Sequence, residues 1–170
     1  MKKFKKIMMG IAVVICAFGF TISSASAASD SNYVSTPYGK LTSNAWRSSL
    51  STSGNTYQFT YQTSAVYSGS NSVDWIKTTW EACASLRNSA SMSIGISADG
   101  VNAGSSSSWQ NVCQSAYWQN SNGAKGAYSE TRNAVIKPRA DYRSGTVSIQ
   151  NEAKVKIKGD ARSWSVNASV

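Results

Sequence analysis

The sequence predicts an all-β protein, a single small β-sandwich or irregular barrel closed by one disulfide. Three observations carry this. Apolar and polar residues alternate strictly in several stretches, such as Tyr57, Phe59 and Tyr61 against Gln58, Thr60 and Gln62, which is the period of a half-buried strand. Ser, Asn, Gly, Thr and Tyr abound, while leucine occurs only at 41, 50 and 86, a composition of sheets and turns rather than helices. Two cysteines, Cys83 and Cys113, remain once the N-terminal segment is set aside.

That segment has the three parts of a secretory signal peptide. Met1–Lys6 carries four lysines, Ile7–Ile22 is largely apolar, and the Ala25-Ser26-Ala27 run offers an A-x-A cleavage site. Residues 1–27 are therefore expected to be removed, Cys16 with them, because Ile15 before it does not suit a lipoprotein box. The remaining 28–170 make one secreted β-rich domain of extracellular, bacterial type. Export agrees with a Cys83–Cys113 bridge, since disulfides persist in oxidising compartments.

Taken in order, Ala28–Gly39 is polar, contains Pro37 and reads as a loose arm. Leu41–Ser51 fits a short helix or a strand. Ser53-Gly54-Asn55 marks a turn before the aromatic strand that begins at Tyr57 and continues through Tyr67, and Ser68–Ser72 is a loop. Val73–Arg87 is ambiguous. Trp75, Thr79, Ala82 and Leu86 share a helical face that Asp74 would cap, whereas Ile76, Thr78, Trp80, Ala82 and Ala84 share a strand face. The Thr78-Thr79-Trp80 run and the hairpin pattern after it favour the strand.

Between the cysteines, Ser91–Ser97 alternates, Asp99-Gly100 suits a two-residue type I′ loop, and Val101–Trp109 alternates weakly. The resulting hairpin sets Ala98 opposite Val101, Ile96 opposite Ala103 and Met92 opposite Ser107. Extended to its base, it sets Cys83 opposite Ala116 and Cys113 opposite Leu86, so a bulge, with Gly95 the natural place, is needed for the bridge. Val112–Trp118 continues the second arm. Gln119–Gly126 is a loop, and Tyr128–Lys137 is a strand stopped by Pro138. Arg139–Gly145 is a turn. Thr146–Gln150 alternates, and the alternating Ala153–Lys158 run, the Gly159-Asp160 turn and Trp164–Val170 form a second hairpin.

The chain has no histidine, which removes Ser-His-Asp and Cys-His catalysis and the commonest zinc ligand. No Cys-x-x-Cys pair supports redox chemistry, and no Gly-Lys-Ser/Thr follows the glycines of a phosphate loop. A carboxylate pair such as Glu81 and Glu130 is the remaining enzymatic idea, but its spacing does not support it. No enzyme activity, cofactor or metal is expected.

Outside the signal, 13 basic residues face 8 acidic ones, a net charge of +5. This modest excess fits an anionic cell-wall polymer, a polysaccharide or a membrane surface better than nucleic acid. Lys154, Lys156 and Lys158 alternate along one strand, within about 14 Å, with Arg162 across the turn; they are the candidate anion-binding strip. Six tryptophans and eight tyrosines can fill a core poor in leucine or line a sugar-stacking face. Trp118, Tyr117 and Trp109 are the candidate contact aromatics. The expected function is a secreted, non-enzymatic binding module at a cell surface or on an extracellular polymer. The alternative is a membrane-active, pore-forming toxin or bacteriocin-like protein. It would use the 87–111 hairpin, whose arms Arg87–Ser97 and Val101–Asn111 have the length of membrane-spanning strands.

Overall fold

The computed structural model describes residues 26–87, 90–94, 101–102 and 108–170, with 101–102 and 132–133 described as backbone alone. It is built almost wholly of strands: β1 Ala28–Thr36, β2 Gly39–Arg47, β3 Ser51–Ser53, β4 Thr56–Gly69, β5 Val73–Leu86, β6 Ser91–Ser93, β7 Val101–Asn102, β8 Gln110–Asn120, β9 Gly126–Lys137, β10 Ser148–Ile157 and β11 Ser163–Ser169. One 3-10 turn, Arg139–Asp141, follows the cis bond to Pro138. Two antiparallel sheets form a small sandwich. Sheet A runs β1-β2-β4-β9-β6-β7, with β3 also paired to β4, and sheet B runs β11-β10-β5-β8.

Period-two patterning decides which side chains go inside. On β4, Phe59, Tyr61, Thr63, Ala65 and Tyr67 are buried; on β10, Ile149, Asn151, Ala153, Val155 and Ile157 are. Burying apolar surface at roughly 25 cal/mol per Å² drives the two faces together. The ambiguous 73–87 segment is strand β5. Its buried set is the strand face, including Ile76, Thr78, Trp80, Ala82 and Ala84. Glycine serves the turns where the chain needs it: Gly54 has φ +55° between β3 and β4, and Gly159 has φ +86° between β10 and β11.

The interior is two apolar clusters, one around Phe59, Trp80, Leu86 and Ile136, the other around Leu41, Tyr67, Ile76 and Val155. Buried Ser43, Thr63, Thr78 and Asn151 make a polar layer in the sandwich. Asn151 Oδ1 accepts from the Thr78 hydroxyl at 2.6 Å, and its amide donates to Ser43 Oγ at 2.9 Å. Trp80 Nε1–H donates to the Tyr61 hydroxyl at 2.6 Å. Burial, against this hydrogen bond, pushes the Tyr61 phenol from 10.0 up to about 12.

Three expectations are corrected. Ala28–Gly39 is not a loose arm; Ala28–Thr36 pairs along its whole length with β2. An edge strand needs few apolar residues, because the backbone ladder holds it and one side faces water. The cysteines lie directly opposite each other in the β5–β8 ladder, without the offset to Ala116 and Leu86; they are bonded, with Cα atoms 4.1 Å apart. Met92 pairs with Val101, not Ser107. The reason is that 91–102 is not an extension of β5 and β8. β6 leaves sheet B, pairs with β9 in sheet A, and buries Ala90, Met92 and Ile94 in the core. The Asp99-Gly100 turn and the Gly95 bulge lie outside the described residues.

Candidate functional site

The outward residues of sheet A form a regular array because four long strands pair in register. Gln62 on β4 faces Trp46 on β2 and Glu130 on β9, while Ser64 faces Asn44 and Tyr128. On β1, Ser29 and Ser31 extend these two rows. The array encloses a shallow groove of about 420 Å³, with Trp46 and Tyr128 at diagonal corners and Asn44, Gln62, Ser64 and Glu130 between them.

The floor is a set of oriented hydrogen bonds. Ser31 Oγ–H donates to Asn44 Oδ1 at 2.7 Å, and Asn44 Nδ2–H donates to Ser64 Oγ at 2.9 Å. Gln62 Nε2–H donates to Glu130 Oε2 at 3.3 Å. Tyr128 is 65% exposed, and its ring lies against Gly126, where an added Cβ would come within 2.6 Å of Tyr128 Cε2. One row further on, the exposed Tyr33 ring carries the Lys40 ammonium 4.8 Å from its centroid. The face thus combines flat apolar rings with amide, hydroxyl and carboxylate groups, the pairing that suits a ligand with apolar C–H faces and many hydroxyls. Among the described lining residues none is cationic.

The residues singled out from the sequence lie elsewhere. Lys154 and Lys156 share the outer face of sheet B, but Lys158 lies past the end of β10. Lys154 Nζ is 3.8 Å from Glu152 Oε1. Lys156 Nζ donates to the carbonyls of Asp160 and Ala161, at 2.6 and 2.9 Å, so it ties the hairpin turn. Arg162 stacks 4.6 Å over Trp164. Asp160 accepts from the Arg162 backbone N–H at 2.9 Å and from Trp164 Nε1–H at 2.8 Å. These bonds, with Arg162 and Lys156 nearby, hold its carboxyl below the usual carboxylate value. Lys158 and Arg162 therefore do not continue the strand row of Lys154 and Lys156.

Nor do Trp118, Tyr117 and Trp109 converge. Tyr117 and Trp118 are adjacent on β8 and point to opposite faces. Tyr117 is 65% exposed on the outer face, with Lys77 Nζ 5.5 Å from its ring. Trp118 pairs with Thr78 and faces the inner side, yet is 55% exposed. Trp109, before the start of β8, lies 5.1 Å from the Arg87 guanidinium.

Other chemistry is also placed. Glu81 lies on the outer face of sheet B and Glu130 on that of sheet A, so the two carboxylates do not share a cleft. Glu81, Cys83 and Cys113 cluster, but the sulfurs are spent in the disulfide and offer no thiolates to a metal. Within 87–111, β6 has three residues and β7 two, and Met92 and Ile94, on the expected lipid-facing side, are buried in the core. No helix among the described residues is long and apolar enough to cross a membrane. The bridged cysteines are compatible with an extracellular setting.

Sequence reasoning missed Trp46 and Tyr128. Their signal was present as position parity: Asn44 and Trp46 alternate with buried Ser43 and Ala45, and Tyr128 with buried Ala127. What was missing was the pairing that brings β2 and β9 to either side of β4. The sequence matches no family model and no curated protein.

Proposed function

We propose that this is an exported, non-enzymatic module that binds a polysaccharide at a cell surface through the outer face of sheet A. The observation that carries the reading is the groove in which Trp46 and Tyr128 flank Asn44, Gln62, Ser64 and Glu130. Sugar rings present C–H faces to aromatic side chains and hydroxyls to amides and carboxylates, and this groove offers both. Its scaffold is a sheet held from beneath by the core, so the contact groups are positioned before a ligand arrives.

The test is co-sedimentation of the purified protein with insoluble cellulose, chitin and bacterial wall glycan. Retention is expected on at least one of them and should survive high salt, since no described cation lines the groove. Trp46→Ala and Tyr128→Ala should each weaken it about tenfold, or ~1.4 kcal/mol, measured on variants that remain folded. Retention untouched by both substitutions, or abolished by salt, would remove this reading.

A further inference from the structure

Resting on the polysaccharide reading, we infer that the groove selects a glycan chain long enough to stack on Trp46 and Tyr128 together, and discriminates against single sugars. The two residues stand on β2 and β9, with β4 between them, and one register step apart: Trp46 is paired with Gln62, and Tyr128 with Ser64. Two strand spacings across and two residues along put their Cα atoms about 12 Å apart. One sugar ring is shorter than that and reaches a single aromatic. A chain laid diagonally over β4 reaches both and crosses Gln62 and Ser64 on the way.

The diagonal has chemical direction as well as length. The donors of the Ser31–Asn44–Ser64 row run toward the groove centre, so the Ser64 hydroxyl, which accepts from Asn44, keeps its own proton for a ligand oxygen. Gln62 commits its Nε2–H to Glu130 and turns its carbonyl oxygen to the opposite role. A run of sugar hydroxyls, each both donor and acceptor, matches such a floor. The second aromatic contact of a chain already held at the first is intramolecular, which multiplies affinity without strengthening either contact. Gly126 belongs to the same device, since the Tyr128 ring rests where any side chain at 126 would stand.

The experiment is a soluble series of neutral gluco- and chito-oligosaccharides, from the monosaccharide to the hexasaccharide, titrated by calorimetry and tryptophan fluorescence. Affinity is expected to step up at least tenfold once a chain spans both rings. Trp46→Ala and Tyr128→Ala should each flatten the series, and Gly126→Ala, which displaces the Tyr128 ring, should blunt the step. A flat length series in a protein that is retained on insoluble glycan overturns the inference and leaves the polysaccharide reading standing. Absence of binding to every glycan, soluble and insoluble, overturns both.

Discussion

The side-chain amide of Asn151 on β10 donates a 2.9 Å hydrogen bond to the main-chain carbonyl of Ser64 on β4, across the sandwich. It reaches the carbonyl of Asn44 at 3.1 Å as well. Asn151 thus holds from beneath the two strands whose outward side chains floor the groove. Its position within the polar layer makes it the main polar tie between the sheets, because a buried amide costs free energy unless its bonds are met, and here they are met from both sides.

Asn151→Ala is therefore expected to cost about 3 kcal/mol, since it leaves the Thr78 hydroxyl only its 3.4 Å contact with Thr63 Oγ1 and takes the amide donor from the Ser43 hydroxyl and two carbonyls. Asn151→Leu should do no better, because its apolar volume does not answer those groups. Urea midpoints at constant m report both. A cost below about 1 kcal/mol for either variant would show that the layer is not a tie but a tolerated defect.

The Tyr61–Trp80 pair makes the core alkali-sensitive. The Tyr61 phenol titrates at about 12 in the folded protein against 10.0 for an ordinary tyrosine. A folded value above the unfolded one contributes stability that is complete below about pH 10 and is lost as pH rises toward 12, because the unfolded chain gives up its proton first. Tyr67 is raised by burial in the same direction. Tyr61→Phe should lower stability at pH 7, by leaving Trp80 Nε1–H without its acceptor, and the gap to wild type should close between pH 10 and 12. Parallel urea titrations check this; a gap that widens with pH would be wrong in sign.

How much of this was legible in the sequence depends on range. Tyr57–Phe59–Tyr61 and Ala153–Val155–Ile157 declared their strands because alternation is local. The Gly159-Asp160 turn did so because its residues suit the backbone. The register at Cys83 and Cys113 was not legible, because it was projected from Asp99-Gly100 as though one ladder joined turn and base. Instead β5 and β8 set their own pairing, and the chain between them crosses to sheet A to bury Met92 and Ile94. Likewise the 28–39 arm lacked an apolar signal because β1 is an edge strand held by its backbone ladder with β2. Trp46 and Tyr128 could be placed on outward positions by parity alone, but no local rule says that β2 and β9 flank the same strand.

The disulfide closes a loop between residues 30 apart in sequence. In the chain-entropy account, a loop of this length constrains the unfolded state by roughly 3–4 kcal/mol. The Cys83→Ser/Cys113→Ser variant should lose about that much at the urea midpoint in non-reducing buffer. Wild type in reducing buffer should lose a similar amount, whereas the variant should be indifferent to reductant. Because the bridge lies on the outer face of sheet B, oligosaccharide binding to sheet A by the still-folded variant is expected to stay within twofold of wild type.

The β10–β11 hairpin should be the acid-labile part of the sandwich. Asp160 accepts the Arg162 backbone N–H and the Trp164 indole N–H, and the carboxyl is held below its ordinary value of 3.8. A folded value below the unfolded one contributes stability present above the ordinary carboxylate range and lost as pH falls through the lower, folded value. Asp160→Asn keeps one acceptor oxygen but no charge. The variant should be less stable than wild type at pH 7, and the difference should shrink as pH falls below about 3.8. Amide exchange in Ser163–Ser169, followed at both pH values, localises the effect to β11. Equal protection of β11 in the two proteins at pH 7 would show that the carboxylate is not what holds the turn.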